Sequence, residues 1–406
     1  MTTLIRNARV LTLAGARPRR GGAMRDLGVM DRADVLVEGD SISAVAPSDP
    51  GIRLLRSAEV EIDAKGRVLM PALVDCHTHA CWAGSRIDEW EQKLAGATYL
   101  EILRSGGGIM STVRATRAAS EEELAASLSA RLSRMHAFGT TTIEVKSGYG
   151  LSTEHELKML RAIGRAAASF PGTIVPTALI AHAIDPDQSD FVERTIHETL
   201  DAVHAEFPGT AIDAYCEKGA WSLEDCSRLF DRARSLGHPV RVHTNQFNGL
   251  GMVEHAAAIG ALSCDHLEAM TDAETRALAA SPSIGVVLPA ACLHLGSPFA
   301  KARSMIDAGA AIALATNCNP GSAPTESLPL AMAVGVRGCG LTPAEAIVAA
   351  TLNAACVLGL ADRGQVAPGQ RADLVLLDDT DERAIVYELG GSPVSRVFVG
   401  GRLLAR

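Results

Sequence analysis

Long apolar runs, a leader pattern, surplus positive charge and paired cysteine motifs are all missing from this 406-residue sequence. No stretch approaches the roughly 18 consecutive apolar residues of a membrane-spanning helix, and the N-terminus has no charged-then-apolar signal pattern. Lys and Arg number 38 against 47 Asp and Glu, a net charge of −9. That balance argues against nucleic acid or an anionic membrane as the main partner. One basic cluster, Arg17-Pro18-Arg19-Arg20, stands alone and reads as a solvated loop. The nine cysteines are odd in number, dispersed and without a Cys-x-x-Cys, which excludes a disulfide framework. Cys76, Cys81, Cys264 and Cys318 fall beside candidate site residues and read as small buried apolar fillers. The expectation is a cytoplasmic protein with no nucleic-acid or membrane partner.

What is present is an ordinary globular balance, 47 % hydrophobic and 21 % charged residues. The length is too great for one small core and points to two domains, or to one barrel with an appendage. Both ends are rich in strand patterns. At the front these are Leu4–Leu13, two runs within Asp34–Val45 joined by a Gly-Asp turn, and Val60–Val68; at the back they are Ala372–Asp378 and Pro393–Leu403. The middle alternates differently. Helical patterns over Glu121–Phe138, Thr153–Ser169, Asp190–Glu206 and Leu223–Leu236 are separated by short β-branched runs. About eight such units imply right-handed βαβ crossovers and a parallel sheet, and fit a closed (β/α)₈ barrel better than an open sheet. The predicted architecture is α/β: a TIM-like (β/α)₈ barrel over residues 68–360, with a small β-sandwich domain assembled from 1–67 and 361–406.

A barrel keeps its chemistry at the C-terminal ends of its strands, so the strand ends were the place to look. The apolar run Val68–Val74 reads as a buried strand and leads into Asp75-Cys76-His77-Thr78-His79. Side chains two apart on a strand point the same way, so His77 and His79 can converge on one ion, and neutral imidazole is the commonest ligand of zinc and similar metals. Later runs end at Glu144–Gly150, at His182, at Cys216-Glu217, at His243-Thr244-Asn245-Gln246, at Asp265-His266, and at Asn317-Cys318-Asn319-Pro320-Gly321-Ser322. Titratable and amide groups therefore recur on one rim. His136, His155, His197, His204, His238, His255 and His294 lie on helices, helix ends or loops and read as surface or structural.

At these residues the chain resembles the amidohydrolase superfamily of metal-dependent hydrolases, and within it the imidazolonepropionases of histidine degradation. The carrying motifs are Asp75–His79 with Gly84-Ser85-Arg86, then Gly106–Ile109 with Thr116-Arg117, Glu144–Leu151, Ala181-His182-Ala183, Cys216-Glu217, Asp265-His266-Leu267 and Asn319–Ser322. The resemblance runs from about residue 65 to the C-terminus. It implies one divalent metal ion, zinc or iron, with His77, His79 and His243 as imidazole ligands. It further implies substrate binding by Arg86, Tyr149, His182, Gln246, Asn319, Gly321 and Ser322, with His266 beside the metal-bound water. Arg86 would hold a propionate bidentately, and the backbone amides of Gly321 and Ser322 would take a carboxylate. The implied substrate is small and anionic, 4-imidazolone-5-propanoate, opened with water to N-formimidoyl-L-glutamate, and the resembling family is usually homodimeric.

The sequence departs from that family where chemistry is concentrated. The family's remaining metal ligand, an aspartate that also takes a proton from the attacking water, is Asn317 here, and its usual acidic residue two after the third histidine is Asn245. Asparagine offers a neutral carbonyl and no useful basicity, so the catalytic group of residues becomes His266, Asn317 and Gln246. Three readings follow: an inactivated form of the same hydrolase, a diverged site that removes sulfide from 3-(5-oxo-2-thioxoimidazolidin-4-yl)propanoate, or a catalytically impaired barrel that keeps ligand binding. A deaminase of the same superfamily is disfavoured by the Lys146–Gly150 loop.

Overall fold

The computed structural model describes residues 1–48, 58–97, 101 and 106–404. Strands β1 (Thr2–Leu11), β2 (Val29–Glu38), β3 (Ser41–Pro47), β4 (Val60–Asp63) and β5 (Val68–Pro71) come first. Then follow β6 (Leu73–Asp75), β7 (Thr140–Lys146), β8 (Thr173–Ala181), β9 (Ala211–Cys216), β10 (Val240–Thr244), β11 (Ser263–His266), β12 (Ile284–Val287) and β13 (Ile312–Leu314). The chain closes with β14 (Leu374–Leu377), β15 (Val394–Val399) and β16 (Arg402–Leu404). They form two sheets. One is mixed, ordered β16-β15-β14-β5-β1-β2-β3 with β4 on β1, and is built from both ends of the chain. The other runs β6 to β13 in chain order, every neighbour parallel.

The parallel sheet curls into a barrel whose first and last strands meet at the rim. Asn317 N–H donates to His77 O at 3.1 Å and His79 N–H to Cys318 O at 2.9 Å. Just below, the fully buried Asp75 carboxylate accepts from Thr316 N–H (3.2 Å) and Oγ1–H (2.5 Å). The same contacts that close the barrel therefore join the two segments carrying His77, His79 and Asn317.

The run 68–74, read as a single strand, divides in two. β5 pairs with β1 and β14 in the terminal sheet, whereas β6 pairs with β7 in the barrel. The switch occurs at Pro71-Ala72. Proline has no N–H to continue a ladder, Ala72 N–H turns to Asp373 O (2.9 Å), and Leu73 N–H turns to Gly139 O (3.0 Å). The terminal sheet has its own core, with Ile5, Val35, Ile42, Leu69, Leu374 and Phe398 all buried.

The helices predicted over Glu121–Phe138, Thr153–Ser169 and Leu223–Leu236 are present as Glu121–Ala137, Thr153–Ser169 and Leu223–Ser235. Ser120, Ser152 and Ser222 cap them through their hydroxyls. The stretch 190–206 is less regular than its periodicity suggests. A wider turn at Thr195–Thr199 separates Phe191–Arg194 from Leu200–Glu206, where the Thr195 hydroxyl bonds back to Phe191 O at 2.8 Å. Among the described residues no helix is long and apolar enough to cross a membrane.

Candidate active site and metal centre

Barrel strands alternate between the outer helices and the interior, and here the interior positions are charged. β7 turns Glu144 and Lys146 inward, β9 Asp213 and Tyr215, and β10 Arg241 and His243; Asp75 ends β6, and His77 and His79 continue its series. Glu144, Lys146, Asp213, Arg241 and Asp265 are at most 1 % exposed. Charges can be buried so deeply only when paired, and all are. Lys146 Nζ donates to Glu144 Oε1 (2.6 Å) and Asp213 Oδ2 (2.9 Å), while Arg241 donates to Glu144 Oε1 (3.2 Å) and Asp265 Oδ2 (2.6 Å).

Two of these carboxylates reach the histidines above. Asp265 Oδ2 lies 2.6 Å from His77 Nδ1, and Asp213 Oδ1 3.0 Å from His243 Nδ1. Each pair sets the ring's tautomer and turns Nε2 toward the other imidazoles. His77, His79 and His243 bring ring nitrogens within 4.8 Å of one another. His77 Nε2 and Asn317 Oδ1, both buried, have no hydrogen-bond partner. His79 Nε2 and His243 Nε2 are 3.2 Å apart, close to the roughly 3.3 Å edge of a tetrahedron with 2.0–2.1 Å bonds to nitrogen. Burial drives the His77 and His79 imidazoles well below the ordinary histidine pKa, so both are neutral donors. Burial also favours a protonated Asp213, but the neighbouring His243, Lys146 and Arg241 outweigh it and hold that carboxyl well below its usual range. An unpartnered His77 Nε2, carboxylates behind His77 and His243, and three imidazoles grouped at this spacing fit a divalent metal ion.

Above the histidines lies a cavity of about 240 Å³. All seven residues expected to bind substrate line it: Arg86, Tyr149, His182, Gln246, Asn319, Gly321 and Ser322, together with His79, His243, His266 and Asn317. His77 sits beneath, fully buried. His182 stacks on His79 at 4.9 Å, and its Nδ1–H donates to Gly148 O, 2.9 Å away. Burial, with the His243 charge, lowers its pKa to about 3, which makes it a neutral imidazole at any working pH. His266 faces Glu268 Oε1 with Nδ1 at 3.3 Å. It adopts φ +87°, a left-handed conformation unusual for histidine that marks a constrained site.

Three expectations change in detail. The Gly321 and Ser322 amides are not open to a carboxylate, because both donate to Asn319 Oδ1 at 2.8 Å. An asparagine side chain that folds back on the amides two and three residues ahead is a local bond the loop can always make. Arg86 keeps only part of its fork free, since Glu89 takes Nη2 (2.6 Å) and lies 2.5 Å from Nε. Asn245 is fully buried and bonds Glu274 Oε1 through Nδ2 at 2.7 Å; it does not line the cavity.

The sequence reading missed Tyr215, whose hydroxyl donates to Gln246 Oε1 at 2.9 Å, as well as Lys93 and Leu295 on the cavity wall, which the motif residues Gly108 and Ile109 and the neighbouring Phe247 also line. Tyr215 had a signal, being two residues beyond Asp213 on the same strand face. Glu156 was also missed. Its carboxylate accepts from the amides of Gly148, Gly150 and Leu151, each at 2.8 Å, and so shapes the loop that presents Tyr149. Gly150 is needed there because an added Cβ would lie 2.5 Å from Glu156 N and 2.6 Å from His155 C. Gly150→Ala is therefore expected to destabilise the protein by about 1–3 kcal/mol and to weaken binding of a substrate analogue. Urea unfolding and a binding isotherm read the two effects separately.

An amidohydrolase family model matches residues 68–404, which include every barrel strand and the whole site. The chain belongs to the amidohydrolase family. Its relatives within that family are imidazolonepropionases. That of Chloroflexus aggregans is 44 % identical over 99 % of this chain and 98 % of its own length. That of Deinococcus radiodurans is 46 % identical over 95 % and 96 %. Solved structures share the fold at low identity. The 5-methylcytosine deaminase of Klebsiella pneumoniae, with 5-fluorocytosine bound, superposes with a TM-score of 0.76 at 16 % identity, covering 99 % of this chain and 97 % of that one. A triazine hydrolase variant gives 0.72 at 19 % identity, covering 99 % and 94 %.

Proposed function

We propose that this amidohydrolase opens the ring of 4-imidazolone-5-propanoate with water to give N-formimidoyl-L-glutamate, a step of histidine degradation. The observation that carries the reading is the cavity that places Arg86 and Tyr149 over a buried three-histidine cluster. It is supported by imidazolonepropionases 44 % and 46 % identical over nearly the whole chain. His77, His79, His243 and the Asn317 carbonyl would hold a divalent ion, zinc or iron, which supplies Lewis acidity when bound. The free edge of the Arg86 guanidinium faces the propionate, and Glu89 holds its other edge. Tyr149 covers the ring, with Tyr215 fixing the Gln246 amide beside it. In the reaction a water oxygen bonds to the lactam carbon, the carbon–nitrogen bond breaks, and the departing ring nitrogen takes a proton. His266 moves that proton, because its Nδ1 is tied to Glu268 and its other nitrogen is left for the cavity.

Asn317 favours a second reading. A neutral amide cannot carry a proton from water to a leaving nitrogen. Sulfide needs less such help, because hydrogen sulfide is a far stronger acid than a neutral ring N–H, so sulfur can depart as an anion where the nitrogen cannot. In the 2-thioxo analogue, water would add at the ring carbon bearing sulfur, the carbon–sulfur bond would break, hydrosulfide would leave with one of the water's protons, the other would pass through His266 to solvent, and the carbonyl product would remain. The metal-loaded protein offered both substrates separates the readings. Faster appearance of formimidoylglutamate supports the first; faster release of sulfide supports the second; neither product from either substrate overturns both.

Arg86→Gln is expected to raise KM for the carboxylated substrate on the order of 10- to 100-fold with a smaller change in kcat, the range for losing a hydrogen bond to a charged group. An otherwise identical carboxamide should bind both proteins equally. A KM unchanged by the substitution would remove Arg86 from the site.

A further inference from the structure

Two parallel chains of contact run beneath the histidines: Arg241 to Asp265 to His77, and Lys146 to Asp213 to His243. Glu144 joins them, and a longer contact, Arg241 Nε to Asp213 Oδ2 at 3.9 Å, also spans the two. Glu144 Oε1 accepts from both Lys146 (2.6 Å) and Arg241 (3.2 Å), and its Oε2 accepts from Thr78 N–H (2.9 Å), the peptide between His77 and His79. Glu144 touches neither the cavity nor an imidazole. It is fully buried, as are both cations it bridges to within 1 %. Asp75, nearby, accepts from Thr316 and, at 3.5 Å, from His77 N–H; it makes no ion pair with these cations, but its buried carboxyl lies within the field of Glu144.

We infer that Glu144 is a positioning residue that sets the charge of this cage and thereby the affinity of the three histidines for a divalent cation. The inference rests on the metal site proposed above. Within these ion pairs three carboxylates, Glu144, Asp213 and Asp265, face two cations, Lys146 and Arg241, which leaves one negative charge in excess below the imidazoles. The fourth candidate donor, the Asn317 carbonyl, adds none. The excess charge is therefore the attraction the folded chain offers to a doubly positive ion in a region where charge is poorly screened. Without Glu144 that excess vanishes, and Lys146 and Arg241 repel both each other and the incoming ion. The carboxylates behind His77 and His243 would then be drawn more fully to the two cations and hold the imidazoles less well.

The test is zinc affinity by competition with a chromogenic chelator, on full-length protein stripped of metal and reloaded. Measuring the parent first separates failure of the metal site, no zinc bound at all, from failure of this inference. Glu144→Gln is expected to weaken zinc binding at least 10-fold, within the 10- to 100-fold typical of lost support behind metal ligands. Glu345→Gln is the control. It neutralises a carboxylate that is equally buried but paired with Arg25 and Arg303, away from the site, and should leave zinc affinity unchanged. The double variant Glu144→Gln, Lys146→Gln restores the excess negative charge and should bind zinc at least threefold more tightly than Glu144→Gln, although it removes one more ion pair. A purely structural role would make the double variant worse. Glu144→Asp keeps the charge and should stay within about threefold of the parent, which preserves the comparison if the glutamine variant does not accumulate. Zinc affinity of Glu144→Gln within threefold of the parent, a double variant no better than the single, or a tenfold loss in Glu144→Asp would each overturn the inference.

Discussion

Asn317→Asp is expected to raise the rate of imidazolone ring opening by roughly 10²- to 10⁴-fold, the usual contribution of a positioned general base. Asn317 is 2 % exposed, lines the cavity, and has an Oδ1 without a hydrogen-bond partner. Its backbone is pinned by His77 O and by the Asn319 amide, which donates to Asn317 O at 2.6 Å. An isosteric carboxylate would therefore occupy the same place and add what the amide lacks, a negative charge beside the histidines and an acceptor basic enough to take a proton. Metal affinity should rise in the same variant. The check is kcat for formimidoylglutamate formation, with sulfide release from the 2-thioxo analogue measured in parallel. If aspartate leaves ring opening flat and depresses sulfide release, the asparagine belongs to a chemistry that expels an anion. The proton then has no path through residue 317, and the second reading of the function stands.

Arg241→Met should have the largest effect on stability, a loss of about 3–5 kcal/mol in the metal-free protein, the range for breaking a buried ion pair from one side. Burial alone would lower the pKa of this guanidinium. The charges of Asp265, Glu144 and Asp213 outweigh that and raise it above its ordinary value. Methionine matches much of the stem but leaves those three carboxylates sharing Lys146. One of them must then take up a proton or be exposed to water. Urea unfolding of the stripped protein at neutral pH reads the loss directly. Adding zinc should return part of it, because an ion bound only by the folded state stabilises that state by mass action. A loss below about 1 kcal/mol would mean that water or backbone groups compensate the carboxylates, and that the cage is less dry than its burial indicates.

Much of this molecule was readable from residue order alone. The alternation of β-branched runs with helical periodicity reports a parallel barrel, because the same short-range packing preferences act in every unit. The strand-rich ends report a separate sheet for the same reason. His77 and His79 share a face by strand geometry, and strand ends supplied His182, His243, His266 and Asn317. These inferences need only the period of a strand and the rule that barrel chemistry sits at one rim.

What sequence alone could not decide are the contacts between residues distant along the chain. Glu144, Asp213, Arg241 and Asp265 lie on four barrel strands, and nothing local shows that they meet as one set of ion pairs beneath the metal ligands. The two strands within 68–74 divide between sheets because Gly139 and Asp373, far away in sequence, receive the amides of Leu73 and Ala72. Asn319 closes on the Gly321 and Ser322 amides, and Asn245 turns from the cavity toward Glu274, although each stands at a position the motifs assign to the site. The sequence by itself determined which side chains can bind a metal and on which rim they stand. The tertiary structure decided which carboxylates orient them, which amides remain open and how much charge lies beneath, because each of those depends on partners brought together only when the barrel closes.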